Sequence, residues 1–203
     1  MLQVNGLCFC YPQRELFTDW STRILPGVTL VRGGDGSGKT TLLRLLAGVL
    51  PAEVGQLQVS GISLDEQPIA YRQQVFWADP RSDAFDQMTL HDYFQSLLRL
   101  YPGFDKQLLA GLIEGLSLAP HVDKFLYMLS TGSKRKVWLA AAFAAGAAVT
   151  LLDEPFAALD KASIDFVAGL LKDAAAHSAR AWVVADYEAI GAVPLAAIID
   201  LGD

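Results

Sequence analysis

One segment constrains the fold of this chain more than any other. A short strand-like segment, Val28–Val31, runs directly into the glycine-rich stretch RGGDGSGKTT, and a helical spacing of apolar residues follows. The repeating residues of that helix are Leu42, Leu43, Leu45 and Leu46. A strand, a glycine-rich turn and a helix in this order are typical of α/β proteins built on a parallel sheet. Such folds place their ligand sites at the carboxyl ends of the strands.

The turn itself indicates the ligand chemistry. Gly33, Gly38, Lys39 and Thr40 satisfy the pattern G-x-x-x-x-G-K-[ST]. Glycines let backbone N–H groups turn toward phosphate oxygens, and the helix N-terminus adds a partial positive charge. Lys39 is predicted to reach the β- and γ-phosphates of ATP, and the Thr40 hydroxyl is predicted to bind Mg²⁺. The remaining predicted nucleotide contacts in this loop are Gly34, Asp35, Gly36, Ser37 and Thr41.

A metal-binding acid should stand at the end of a second buried strand. The stretch VTLLDEP supplies it, because Asp153 closes four residues of strand-like sequence and Glu154 follows. Asp153 is predicted to hold Mg²⁺, while Glu154 is predicted to polarise the attacking water.

The rest of the chain alternates between strand and helix patterns. Strands are predicted at Val75–Ala78, Val149–Asp153 and Ala181–Asp186, with a helix from about Lys134 to Ala145. Between them, Thr89 is a predicted N-cap and Pro102-Gly103 a helix stop. We therefore expect a helical insert at about residues 79–135 within a single domain of residues 1–203.

Composition excludes several classes of protein. The net charge of −6 and the pI near 5.0 argue against direct binding of nucleic acid. The longest apolar run, Trp138–Leu152, is shorter than the roughly 20 residues of a membrane-spanning helix. The N-terminal residues lack the pattern of a signal peptide, so a cytoplasmic protein is expected, one that meets the membrane only through a partner.

The order of the motifs resembles that of the nucleotide-binding subunits of ABC ATPases over nearly the whole chain. Along the sequence stand an aromatic residue, Tyr11, and then GGDGSGKTT, a helical insert, LSTGS at Leu129–Ser133, LLDEP, and ALD at Ala158–Asp160. The compact ATPases of small exporters, including those similar to haem-export subunits, are the most similar type. The resemblance implies a P-loop NTPase fold of class α/β with a mostly parallel central sheet, an antiparallel β subdomain and a helical insert.

The same resemblance implies partners and further contacts. Tyr11 would stack on the adenine, and Ser130 and Gly132 would touch the γ-phosphate of a nucleotide held by a second ATPase subunit, in a homodimer or heterodimer. Asp160 would help to connect the two sites. An integral membrane transporter subunit would dock on the helical insert, for which the candidate residues are Phe85, Met88, Tyr93 and Phe94, although apolar residues at helical spacing are also typical of a core.

Three positions depart from the family pattern. LSTGS replaces the usual LSGGQ, so Thr131 stands where a glycine is usual. Asp79 follows the strand VFWA where a metal-sensing Gln is usual, and it is a third candidate Mg²⁺ ligand. Ala185, or Asp186 if the register shifts by one residue, stands where a His normally contacts the γ-phosphate. Losing one preorganised donor to the transition state costs roughly 100- to 1000-fold in rate, so slow hydrolysis is expected.

Three hypotheses for the function remain open at this point. The first is an ATP-hydrolysing subunit that energises an ABC transporter. The second is a regulatory nucleotide-binding subunit that pairs with a better-equipped ATPase and contributes one weak site. The third is a non-transport ABC ATPase, which is disfavoured because such proteins usually carry two ATPase domains or a long coiled coil, and because this chain is acidic.

Overall fold

The computed structural model describes residues 1–177, 179–188, 191 and 193–202, and all side chains in these ranges except that of residue 177. Strands and helices alternate along most of this part of the chain. The strands are β1 (Leu2–Tyr11), β2 (Arg14–Ile24), β3 (Gly27–Arg32), β4 (Val54–Val59), β5 (Ile62–Ser63), β6 (Val75–Trp77), β7 (Val149–Asp153), β8 (Ala181–Ala185) and β9 (Ala197–Asp200). The helices are α1 (Lys39–Leu46), α2 (Pro68–Gln74), α3 (Leu90–Leu100), α4 (Lys106–Gly115), α5 (Thr131–Ala144) and α6 (Lys161–His177), with 3₁₀ turns at Ala119–His121 and Leu126–Met128.

A parallel sheet positions the functional residues. Its strand order is β6-β7-β8-β3-β9, and every neighbouring pair in it is parallel. All residues of β7 and β8 are buried, which explains why both strands have near-continuous apolar sequences. The parallel sheet predicted from the alternation of strands and helices is thus present, and the ends of β3, β7 and β8 meet at one edge.

A second sheet is antiparallel and has the order β2-β1-β4-β5. Its apolar face, including Leu7 and Phe17, packs with helix α1 in a core that also takes in one face of the parallel sheet. The opposite face of the parallel sheet packs against the helical segments that surround Trp138 and Phe143 of α5. The parallel sheet therefore lies between two apolar layers, and α1 is held tightly in one of them.

Helices α3, α4 and α5 lie between strands β6 and β7 in the sequence. The Thr89 side chain accepts a hydrogen bond from the Asp92 backbone N–H, so Thr89 caps α3 as predicted, and α3 ends shortly before Pro102. Helix α5 begins at Thr131, three residues before the predicted start. The reason is that the Ser130 Oγ accepts from the Ser133 N–H at 3.1 Å and so caps the helix one turn earlier.

Two of the four candidate docking residues belong to the core instead. Tyr93 and Phe94 are only 2% and 4% exposed, and Tyr93 packs edge-on against Trp138 with ring centroids 4.9 Å apart. The expectation of a partner surface was wrong for these two residues because both are buried in the core that includes α5. Phe85 is 38% exposed and Met88 is half-buried, so both remain accessible.

Helix α2 has no counterpart in the sequence predictions. It spans seven residues, and among them only Tyr71 is buried. The Tyr71 hydroxyl donates to the carbonyl of Leu46 at 2.7 Å and so fixes α2 against the end of α1. A helix with one buried residue lacks the apolar periodicity that sequence analysis requires. None of the helices in the described ranges is long and apolar enough to span a membrane.

Candidate functional site

The glycine-rich loop connects strand β3 to helix α1 at the edge where the parallel strands end. Gly38, the residue before the helix, has a φ of 104°, which is strained for any residue with a side chain. The loop therefore brings its backbone into the first turn of α1, where N–H groups lack partners within the helix. This end of the helix is suited to binding an anion.

Lys39 is held inside this loop. Its side chain is largely buried, and its Nζ donates to the carbonyl oxygens of Gly33 at 2.6 Å and Gly34 at 2.8 Å. The ammonium also lies 4.4 Å from the centre of the Tyr187 ring, and the Tyr187 hydroxyl donates to the Asp35 carboxylate. Tyr187 thus packs on the loop from the segment after β8, a contact that no spacing in the sequence indicated.

Thr40 in the first turn of α1 contacts Asp153 at the end of β7. The Thr40 hydroxyl donates to Asp153 Oδ2 at 2.8 Å, while Asp153 Oδ1 is buried and has no hydrogen-bond partner among the described residues. Burial raises the pKa of Asp153 above its ordinary value, and the hydrogen bond from Thr40 opposes that shift. A hydroxyl and a carboxylate with one unpaired buried oxygen are ligands suited to Mg²⁺.

Glu154 follows Asp153 in a strained turn. Its φ is 45°, a left-handed conformation that costs a non-glycine residue about 1–3 kcal/mol. Two contacts hold this turn: the Glu154 N–H donates to the carbonyl of Ala185 at 2.8 Å, and Arg135 Nη1 donates to the carbonyls of Asp153 and Glu154 at 2.9 and 2.6 Å. The strain therefore persists because α5 and β8 fix the backbone on both sides.

The end of strand β8 shows which of Ala185 and Asp186 lies near Glu154. Ala185 pairs with Asp153 in the sheet and is fully buried in the core. Asp186 is half-buried, and its pKa is raised by burial and by the negative charge of Glu154, whereas the positive charge of Lys39 lowers it. Asp186 rather than Ala185 is thus the residue of this strand end that faces the charged groups.

A cavity of about 300 Å³ opens over the loop. At one end of it, Tyr11 is 42% exposed, and its hydroxyl lies 3.3 Å from Thr41 Oγ1. Most of the residues predicted to contact nucleotide come together here with three that the sequence did not indicate, Arg14, Leu16 and Arg81. The lining residues are Tyr11, Arg14, Leu16, Asp35, Gly36, Ser37, Gly38, Lys39, Thr40, Thr41, Arg81 and Glu154. Gly33 and Gly34 line a neighbouring opening with Arg32 and Tyr187.

Ser130 and Gly132 do not line this cavity. Ser130 is exposed at the N-terminus of α5, where it caps the helix. Gly132 packs so closely on the carbonyl of Ala158 that a Cβ would overlap that oxygen. The two residues therefore form a second, separate helix N-terminus at the surface.

Asp79 is engaged by other groups. Its Oδ2 accepts from Arg44 of α1 at 2.7 Å, and its Oδ1 accepts from the backbone N–H of Arg81 at 2.9 Å. Asp79 does not line the cavity. His91 is exposed and His121 half-buried, neither lines the cavity, and the side chain of His177 is outside the described part of the chain.

In sequence, residues 19–157 match the family described as ABC transporter. The manganese transport system ATP-binding protein MntB of Listeria innocua is 32% identical over 182 residues, which cover 84% of this chain and 74% of that protein. The cytochrome c biogenesis ATP-binding export protein CcmA of Pseudomonas savastanoi is 33% identical over 164 residues, which cover 80% of this chain and 77% of that protein.

In structure, the fold is similar to those of solved ATP-binding subunits. An ATP-binding subunit of an ABC transporter superposes with a TM-score of 0.82 at 21% identity, over 92% of this chain and 79% of the other. A Pyrococcus furiosus protein described as a putative ABC transporter ATP-binding protein superposes with a TM-score of 0.75 at 21% identity, over 98% of this chain and 96% of the other. These comparisons confirm the predicted α/β fold.

Proposed function

This chain belongs to the ABC transporter family as one of its ATP-binding subunits, and on that premise we propose how its own residues bind and hydrolyse ATP. As a member of that family it is an ATPase that energises a membrane transporter. We treat residues 1–203 as one ATPase domain with a helical subdomain at about 79–135. The observation that carries the proposal is the convergence of Lys39, Thr40, Asp153 and Glu154 at one edge of the parallel sheet.

The phosphates of ATP would lie in the loop that precedes α1. Lys39 would exchange its two carbonyl partners for oxygens of the β- and γ-phosphates, which are stronger acceptors for an ammonium group. The backbone N–H groups of the loop would surround the phosphates, and Thr41 lies beside Tyr11. The exposed ring of Tyr11 would stack on the adenine. Loop contacts are proposed for Gly33, Gly34, Asp35, Gly36, Ser37, Gly38 and Thr41.

Thr40 and Asp153 would hold Mg²⁺ when it arrives with the nucleotide. Mg²⁺ binds through one or two protein oxygens together with substrate phosphates and water, and it neutralises charge that develops on the phosphates. In the described residues no group of three or more His, Cys, Asp or Glu is arranged around a metal position, which agrees with a site completed by phosphate. Asp79 would reach the ion only by leaving Arg44.

Glu154 would act on the attacking water. Its carboxylate accepts a proton as the water oxygen forms a bond to the γ-phosphorus, and the bond from that phosphorus to the bridging oxygen of ADP breaks. ATP and water thus become ADP, inorganic phosphate and a proton. Asp186 would slow this step, because a carboxylate near Glu154 adds negative charge and cannot donate to the transition state as a His would.

Ser130 and Gly132 would complete the site of a second ATPase subunit. They lie at a helix N-terminus that is separate from the chain's own cavity, so a nucleotide held here must come from another subunit. The partner would be a second copy of this chain or a related ATPase. Asp160, which forms an ion pair with Lys136 of α5, would connect the two sites.

The integral membrane subunit would dock on exposed apolar residues of the helical segment. Backbone bonds from Leu126 to Met88 and from Tyr127 to Asp86 bring two loops together. The exposed side chains of these loops are Phe85, Phe125, Tyr127 and Met128. Docking there would keep the chain on the cytoplasmic face of the membrane. The relatives named above are described as acting in manganese transport and in cytochrome c biogenesis, and the cargo of this chain would depend on its membrane subunit.

The decisive experiment measures ATP hydrolysis by purified protein over a wide range of protein concentration. We expect slow, Mg²⁺-dependent turnover that rises per subunit with concentration, and a loss of turnover in Glu154→Gln while ATP is still bound. Unchanged turnover in Glu154→Gln would remove this residue from the mechanism.

A second function is favoured by one observation, the carboxylate of Asp186 beside Glu154. A regulatory subunit that binds ATP tightly and pairs with a better ATPase would show no turnover above the Glu154→Gln blank at any concentration. Turnover would then appear only when a partner ATPase or the membrane subunit is added.

A further inference from the structure

The γ-phosphate end of the proposed site has an excess of negative charge. Asp153, Glu154 and Asp186 carry three carboxyl groups at the ends of two neighbouring strands, since Asp153 of β7 pairs with Ala185 of β8. Lys39 is the cation of the loop. A bound ATP adds its own negative charge, so a further cation near the γ-phosphate would be strongly favoured.

Arg81 is positioned to supply this cation. It lines the same cavity as Lys39, Thr40 and Glu154, and it comes from the loop after β6 rather than from the phosphate loop. Trp77 at the end of β6 pairs with Leu151 of β7, so the loop that carries Arg81 leaves the sheet beside the carboxyl end of β7.

The guanidinium of Arg81 has its donors available. Among the described residues, no acceptor lies within hydrogen-bond or ion-pair distance of this side chain, and the residue is exposed to the cavity. The nearby arginines are already engaged: Arg135 binds two backbone carbonyls, and Arg44 pairs with Asp79. Unlike Arg44 and Arg135, Arg81 can therefore accept a new anionic partner, as can Arg14, which lines the same cavity beside Gly36.

The backbone of Arg81 is fixed relative to the phosphate loop. Its N–H donates to Asp79 Oδ1, and the other oxygen of Asp79 pairs with Arg44 on α1, the helix that begins with Lys39 and Thr40. Pro80 restricts the backbone between Asp79 and Arg81. A cation held in this way loses less conformational freedom when it binds a phosphate, which favours tight and specific binding.

We propose that Arg81 binds the γ-phosphate of ATP within its own subunit and thereby makes the site prefer ATP over ADP. The inference rests on the proposed function, since it assigns a new ligand to the same nucleotide site. A guanidinium donates two parallel hydrogen bonds to a phosphate, so it can partly offset the negative charge of Asp186. ADP lacks the group that Arg81 contacts, and its affinity should not depend on this residue.

The test measures the affinities of Mg-ATP and Mg-ADP by calorimetry, in a Glu154→Gln background so that ATP is not consumed. A charge-assisted hydrogen bond contributes enough that Arg81→Ala should weaken ATP binding by about 10- to 100-fold. ADP affinity should stay within about threefold, and Arg81→Lys should recover part of the loss because it restores the charge.

Arg14→Ala is the matched control. Arg14 lines the same cavity from the start of β2, where it is opposite Tyr11 in the β1–β2 register, and its Nη1 lies beside Gly36 of the phosphate loop. Its loss should therefore weaken ATP and ADP binding by similar factors. Equal weakening of both nucleotides in Arg81→Ala, or no weakening of either, would overturn the inference while leaving the proposed function intact. If the unmodified protein bound neither nucleotide, the proposed function would fail and the inference with it.

Discussion

At the scale of single residues, Asp186 offers the sharpest test of why hydrolysis should be slow. Asp186→His replaces a carboxylate beside Glu154 with a hydrogen-bond donor, and we expect turnover to rise, by up to about 100-fold if the donor reaches the transition state. Steady-state ATP hydrolysis with the Glu154→Gln blank measures this.

Ala185→His is the control for that substitution. Ala185 is fully buried in the core, so a larger side chain should lower the melting temperature without raising turnover. A gain of turnover in Ala185→His but not in Asp186→His would reverse our assignment of the two positions.

A site residue is predictable from sequence when it belongs to a fixed spacing. Lys39, Thr40, Asp153 and Glu154 follow a loop or end a buried strand, so their neighbourhood was predictable. Arg81 and Tyr187 reach the site from loops that no local pattern aligns with it, and only the tertiary fold brings them there. The choice between Ala185 and Asp186 likewise required the register of the sheet.

At the scale of elements, Asp160 joins the beginning of α6 to α5. Its Oδ1 accepts from the Ser163 N–H at 2.9 Å and its Oδ2 accepts from Lys136 at 2.6 Å. The hydrogen bond from Lys136, followed by those from Ser163, holds the pKa of Asp160 well below its ordinary value of 3.8. Because the folded state binds the proton less readily than the unfolded state, the stabilisation is present above that ordinary value and is lost as pH falls below it.

Asp160→Ala should therefore lower the urea midpoint of unfolding at pH 7 and lower it less at pH 3. The urea midpoint of Asp160→Asn at pH 7 should lie between those of the unmodified protein and Asp160→Ala. The amide oxygen still accepts from the Ser163 N–H, but it lacks the negative charge that pairs with Lys136. Urea titrations followed by circular dichroism at both pH values provide the comparison. An equal loss at both pH values would mean that packing, rather than the ionised carboxylate, stabilises this junction.

Element boundaries were predictable where caps are encoded locally and not elsewhere. Thr89 and the Pro102-Gly103 pair defined α3, because capping and chain termination act within a few residues. Helix α5 begins three residues before its predicted start, because the Ser130 cap includes Thr131 and Gly132 although both are poor helix formers. Tyr93 and Phe94 illustrate a related limit, since an apolar helix face has the same pattern whether it meets α5 or a partner.

At the scale of the whole molecule, the N-termini of helices α1 and α5 lie apart, and this separation predicts how two subunits share their ATP sites. The phosphate loop precedes α1 and lines the cavity, whereas Ser130 caps α5 outside it. If each ATP lies between the loop of one subunit and Ser130 of the other, two inactive variants can together form one complete site.

We therefore expect Lys39→Ala and Ser130→Asp to be inactive alone and active when mixed. Ser130→Asp keeps a good N-cap for α5 but places a negative charge against the γ-phosphate, so it should fold normally. In a mixed dimer the intact Lys39 of one subunit faces the intact Ser130 of the other, and hydrolysis should return to a fraction of the unmodified rate. The control mixes Lys39→Ala with a variant that carries both Lys39→Ala and Ser130→Asp. No site in that mixture has an intact Lys39, so it should stay inactive. Recovery in that control, or none in the first mixture, would contradict a shared site between two copies of this chain.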